Sequence, residues 1–193
     1  MPSTHKSLTH AEAQGLLAVA RRAIQAKIEG VPLEVEPGST PDALQVRRPP
    51  FVTLHKHGEL RGCVGALEAR ESLLAEVIRL APAAARDIRF DRITLEELPD
   101  IHISISVLTA AVPLPFTSDE DLAEKLRPGI DGLILEEGTK RGTLLPVVWE
   151  SLPDPGAFIR GTKQKAGLPP DYSSPTLEAW VYQAEEWSES LEA

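Results

Sequence analysis

Cysteine is almost absent from this chain, and aromatic residues are scarce. Cys63 is the only cysteine among 193 residues, and Phe, Trp and Tyr together make up 5%. A single cysteine excludes an intramolecular disulfide. The chain has no run of about 18 apolar residues that would span a membrane, and residues 1–6 lack the apolar core of a signal peptide. We therefore expect a cytoplasmic protein in which Cys63 is a free thiol.

Basic residues are fewer than acidic residues. The chain has 20 Lys and Arg against 29 Asp and Glu, a formal net charge of -9. This balance disfavours nucleic acid as a partner, because phosphates would be repelled. Neither a dinucleotide-binding nor a P-loop glycine pattern occurs, and no four-residue zinc ligand set is visible. No cofactor and no metal site are predicted, and the oligomeric state is left open.

The chain instead carries hydrophobic patterns of both helical and strand type. Proline is frequent, with 17 residues, which favours long connections over a helical bundle. Adjacent hairpins with helices at intervals predict an α+β fold, with a mostly antiparallel sheet and flanking helices, over a single domain of residues 1–193. The predicted elements are a helix from Thr9 to Gly30, a loop over 31–50, strands 51–54 and 60–64, a helix over 72–85, a strand over 101–107, a short helix within 114–128, strands 131–136 and 141–145, a short helix near Phe158 and a final strand within 177–186.

The segment richest in chemistry is the hexapeptide Leu60–Gly65, which reads LRGCVG. Glycine lets a backbone approach a ligand closely, so Gly62 and Gly65 are candidate ligand-binding positions. A nearby arginine favours thiolate over thiol, which singles out Arg61 beside Cys63. The hexapeptide is predicted to lie on the second strand of the first hairpin.

Several segments together resemble the AMMECR family. Its signature hexapeptide matches residues 60–65, with Val64 where isoleucine is commoner. The other matching stretches follow in the family's order and approximate spacing: FVTLHKHGE (51–59), AARDIRF (84–90), ISVLT (105–109), DGLILEEG (131–138), RGTLLPVVWE (141–150) and KAGLPPDY (165–172). The resemblance covers nearly the whole chain.

The resemblance implies an α+β fold with a smaller lobe beside the main sheet, and a hexapeptide that borders a cleft. Microbial members are often encoded near a Memo-like protein and a radical-SAM protein, which implies pathway partners of those kinds. The family supplies no settled biochemical role.

Cys63 has two interpretations. In the first it is a nucleophile and therefore the predicted catalytic residue. In the second it is a small residue that packing requires beside glycines. A nucleophile needs a base, and His55, His57 and His102 are the candidates. His55 and His57 with Cys63 also form a possible zinc set, but a solvated turn is the favoured interpretation.

The charge run from Arg86 to Arg92 also has two interpretations. One is an anion clamp in which Asp87 orients an arginine such as Arg89, and the other is an internal salt-bridge network. Arg61 and Asp87 are a possible pair. Lys165 falls inside a matching segment and is a further candidate ligand contact.

Two functions remain open at this point. The first is an enzyme, or catalytic subunit, that uses Cys63 on a small anionic or carbonyl substrate, with Arg61 and nearby amides stabilising negative charge. The second is a non-catalytic module whose hexapeptide recognises a ligand or a partner protein. The lone thiol favours the enzyme, and the absence of a recognisable acid–base pair favours the module.

Overall fold

A computed structural model describes residues 7–34 and 40–189. These residues form two compact units. The first runs to Leu108 and resumes at Glu185, and the second is Thr109–Ala184. The architecture is α+β with antiparallel pairing, as predicted, and each unit contains its own four-stranded sheet. No helix in the described ranges is long and apolar enough to cross a membrane.

The sheet of the first unit has the strand order β2-β1-β3-β8. The strands are β1 (Pro50–Lys56), β2 (Glu59–Gly65), β3 (Ile101–Leu108) and β8 (Ala184–Ser188). Its helices are α1 (His10–Glu29), α2 (Asp42–Gln45) and α3 (Leu73–Ala84), and a 3-10 helix, Leu98–Asp100, precedes β3. One face of the sheet packs against α1 and α3 in an aliphatic core that includes Leu16, Val52, Val77 and Ile103.

The sequence predicts the ends of α1 correctly. Thr9 caps the helix and forms a reciprocal capping box with Glu12, and Gly30 ends it with a left-handed φ of 73°. The hairpin of β1 and β2 is also confirmed, with positive φ at His57 and Gly58 in its turn. The loop predicted over 31–50 is interrupted by α2, and its residues 35–39 lie outside the described ranges.

The sheet of the second unit has the order β4-β7-β5-β6. The strands are β4 (Val112–Pro113), β5 (Gly132–Glu137), β6 (Lys140–Leu144) and β7 (Glu178–Tyr182). The helices are α4 (Asp119–Lys125) and α5 (Pro155–Lys165), with a 3-10 helix at Pro146–Glu150. Their core is separate from that of the first unit, and in it the rings of Trp149 and Phe158 stack at 3.8 Å.

Two further predictions fall in this part of the chain. The strand predicted within 177–186 is β7, but it is not the final one, because β8 follows it and belongs to the first sheet. The break falls at Gln183, whose N–H and C=O both bond to Thr109 instead of continuing the ladder. The short helix predicted within 114–128 is α4, which begins after Ser118, whose side chain caps it by accepting the Asp121 N–H.

Candidate functional site

The hexapeptide lies on β2, the edge strand of the first sheet. Cys63 is opposite Thr53 of β1 in the ladder. The backbone N–H of Cys63 donates to Asp87 Oδ2 at 3.0 Å. A carboxylate therefore occupies a position on the edge strand where a further strand would otherwise bond.

Asp87 is in turn held by Arg89 in a two-point contact. Arg89 Nε donates to Asp87 Oδ1 at 3.0 Å and Nη2 donates to Oδ2 at 2.6 Å. The Arg89 guanidinium, helped by the Cys63 and Arg89 backbone N–H groups, holds the pKa of Asp87 well below its usual range, although burial opposes this. Arg89 Nη2 also reaches the Cys63 carbonyl at 3.5 Å. Asp87 thus orients Arg89, an arrangement that fits both the anion-clamp and the salt-bridge interpretations.

Arg61 does not pair with Asp87, contrary to the suggested pair. Its Nε and Nη2 donate to the two carboxylate oxygens of Glu97 at 2.8 and 3.0 Å, and its Nη1 donates to the Asp91 carbonyl at 2.6 Å. Arg61 hydrogen bonding lowers the pKa of Glu97, with a smaller contribution from Lys56. The Arg61 side chain is 16% exposed. Its charged head is therefore an internal brace as well as part of a groove wall.

The two glycines of the hexapeptide lie where a side chain would collide with neighbours. A Cβ on Gly62 would overlap the carbonyl oxygen of Ala84 at the end of α3, and a Cβ on Gly65 would overlap the ring of Phe51. Both glycines have a packing reason that requires no ligand.

The Cys63 thiol is half-buried. The Thr53 hydroxyl donates to its sulfur at 3.3 Å. His55 and His102 are opposite each other in the β1–β3 ladder, and His57 lies in the turn. Within the described ranges, no histidine hydrogen-bonds to the thiol, and no three His, Cys, Asp or Glu side chains are placed to share a metal ion.

A groove of about 490 Å³ runs beside the hexapeptide, along the loop that follows α3. It is lined by Arg61 and by four consecutive loop residues, Ile88, Arg89, Phe90 and Asp91. Ile88 is 99% exposed. The Arg89 side chain is 49% exposed and lies over the Phe90 ring at 5.5 Å. The groove contains an apolar side chain, an aromatic ring and an oriented guanidinium.

Lys165 is exposed at the end of α5, in the second unit, whereas the other predicted site residues belong to the first. Its neighbour Lys163 is fully buried and bonds to Asp119 at 2.5 Å. The sequence reasoning missed Glu97 and Ile88. The only available signal for Ile88 was an isoleucine placed between Asp87 and Arg89 in a charged loop.

A protein family, several archaeal proteins and a solved structure each match almost the whole chain. The AMMECR1 family model matches residues 17–187. A protein of Methanothermobacter thermautotrophicus is 41% identical over 181 residues, covering 92% of this chain and 94% of that protein. A protein of Methanocaldococcus jannaschii is 36% identical over 168 residues, covering 82% and 81%. The crystal structure of an uncharacterized protein from Pyrococcus horikoshii superposes with a TM-score of 0.87 at 32% identity, covering 94% of this chain and 93% of that one.

Proposed function

Since the chain belongs to the AMMECR1 family, we propose that it is a non-catalytic binding module of the cytoplasm, working as a single domain. The recognition loop, defined here as Asp87–Asp91, contacts an acidic segment of a partner protein. The Memo-like and radical-SAM proteins implied by the family resemblance are the candidate partners. The hexapeptide serves this function by holding the recognition loop in place.

The observation that carries the proposal is the way the recognition loop is anchored. The carboxylate of its first residue, Asp87, accepts the Cys63 N–H at 3.0 Å, and the carbonyl oxygen of its last residue, Asp91, accepts from Arg61 Nη1 at 2.6 Å. The Phe90 N–H closes the loop by donating to the Asp87 carbonyl at 3.0 Å. A loop fixed at both ends loses little entropy when it binds, which favours affinity.

The exposed groups of the recognition loop match those that dominate protein interfaces. Arginine and aromatic residues are enriched among the side chains that contribute most binding energy. Asp87 occupies Nε and Nη2 of Arg89, while no bond to Nη1 is formed by the described residues. That nitrogen is available to a partner carboxylate, and Ile88 and Phe90 supply apolar contact beside it.

The test is a calorimetric titration of the purified chain with the Memo-like protein and with the radical-SAM protein of the same genome. Ile88→Ser removes only an exposed apolar group, and we expect it to weaken binding by about tenfold or more. Leu95→Ser is the matched control, since Leu95 is also an exposed apolar residue of the first unit, at 45%. Failure of both proteins to bind, or equal effects of the two variants, would contradict the proposal.

A thiol enzyme is the second candidate function. The Thr53 hydroxyl supports it, because its hydrogen bond to the Cys63 sulfur at 3.3 Å orients the thiol. The absence of a histidine bonded to the thiol in the described ranges weakens it. On this alternative, Cys63 attacks a small anionic or carbonyl substrate and Cys63→Ala abolishes activity.

A further inference from the structure

A second pocket, of about 200 Å³, lies in the first unit where α1 and α3 end. Its floor is aliphatic and includes Ile24, Ile28, Ala85 and Ile93. Three of these side chains are nearly or fully buried, and Ile28 is partly exposed. At about 30 Å³ per water molecule, the space equals about seven waters, enough for a small organic ligand.

The rim of this pocket carries three cations, Lys27, Arg86 and Arg92. All three side chains are exposed. Within the described ranges, none of the three forms an ion pair, and no carboxylate lines the pocket. This concentration of unpaired positive charge occurs in a chain whose net charge is -9.

Two other arginines of the first unit are paired with carboxylates, unlike the three cations at the pocket rim. Arg61 and Arg89, in the same unit, each donate two hydrogen bonds to a carboxylate. Helix C-termini attract cations, which accounts for Lys27 in the last turn of α1. Arg92 lies beyond both helices, in the loop before Ile93, so helix ends do not explain the whole cluster.

We propose that this pocket binds a small organic anion, a carboxylate or phosphate monoester joined to a short apolar body. The guanidinium groups of Arg86 and Arg92 present paired N–H donors that suit a planar carboxylate or a phosphate. Lys27 adds a third charge. The aliphatic floor takes the apolar body, the usual composition of a ligand pocket. This site is separate from the recognition loop and does not depend on the function proposed for it.

The experiment is a titration followed by amide NMR and calorimetry, with four probes. Phenyl phosphate and benzoate combine an anionic head with an apolar body and distinguish a phosphate from a carboxylate ligand. Inorganic phosphate tests the head alone, and benzylamine reverses the charge. We expect at least one of the first two probes to bind saturably at one site, with shifts at Ile24, Ile28 and Ile93. Inorganic phosphate should bind about tenfold more weakly, and benzylamine should not bind.

Variants locate the site. The double variant Arg86→Gln/Arg92→Gln should bind the organic anion with an affinity lower by about tenfold or more. Arg47→Gln/Arg70→Gln is the charge-matched control, since both arginines are exposed in the same unit and do not line the pocket. Ile28→Glu places a carboxylate against the cations and should abolish binding. Melting temperatures of all variants establish that they remain folded.

The opposite results overturn the proposal. No saturable binding of phenyl phosphate or benzoate would mean that the cations only offset helix ends. Equal affinity for inorganic phosphate and phenyl phosphate would mean that the floor takes no part. Equal effects of the two double variants would place binding elsewhere. The titrations with Memo-like and radical-SAM proteins are separate measurements, so the two proposals can fail independently.

Discussion

Replacing Arg61 with alanine is expected to destabilise the protein by about 2 kcal/mol, more than a surface substitution does. The change removes two bonds to the Glu97 carboxylate, at 2.8 and 3.0 Å, and one to the Asp91 carbonyl, at 2.6 Å. Breaking a fully buried pair costs about 3–5 kcal/mol. The cost here is smaller, because Glu97 is 15% exposed and keeps Lys56 at 3.2 Å.

Urea denaturation followed by circular dichroism measures this cost, and the melting temperature should fall by roughly 4–8 °C for a chain of this size. Arg92→Ala is the control, because Arg92 is an exposed arginine of the same loop region that forms no ion pair within the described ranges. It should cost less than about 0.5 kcal/mol. A double-mutant cycle with Glu97→Gln should give a coupling of about 1 kcal/mol or more. Equal effects of Arg61→Ala and Arg92→Ala would refute the role of Arg61 as a brace.

Three further predictions concern the same strand and loop. Gly62→Ala should destabilise the protein by about 1–3 kcal/mol, because its Cβ would overlap the Ala84 carbonyl. Gly15→Ala is the control, since no atom lies near its Cβ in α1, and it should stabilise the protein by about 0.5–1 kcal/mol. Equal effects of the two variants in melting curves would contradict this prediction. Folding lowers the pKa of Asp87, so its contribution to stability is present above about pH 4 and is lost as the pH falls further. In urea denaturation below that pH, the free energy of unfolding of Asp87→Asn should depend less on pH than that of wild type. An unchanged pH dependence would be evidence against this prediction. Iodoacetamide should label Cys63 more slowly in the folded protein than in urea, because the thiol is half-buried, and faster labelling of the folded protein would favour the enzyme.

The elements that the sequence predicts best are those defined by local chemistry. Thr9, Glu12 and Gly30 mark the ends of α1 because capping acts within a few residues. The sequence does not predict that a separate strand, β8, follows β7, for the opposite reason. The break between the two strands lies at Gln183, which bonds to Thr109, 74 residues away.

The parts of the candidate site that depend on neighbouring residues could also be predicted. The hexapeptide is a compact motif, and Asp87 and Arg89 are two residues apart, so their pairing is a local possibility. Glu97 lies 36 residues from Arg61, and nothing near it in the chain marks it as the partner. The exposure of Ile88 follows from how the loop is anchored, which the hydrophobic pattern does not encode.

The most direct test of the account is the affinity of the Cys63→Ala variant for the Memo-like or radical-SAM partner, beside wild type and Ile88→Ser. Cys63 reaches the recognition loop through its backbone N–H, which alanine retains. We therefore expect Cys63→Ala to bind within about twofold of wild type, whereas the binding of Ile88→Ser should be about tenfold weaker or more. A tenfold loss on Cys63→Ala, with Ile88→Ser unchanged, would contradict it and make the thiol the functional group.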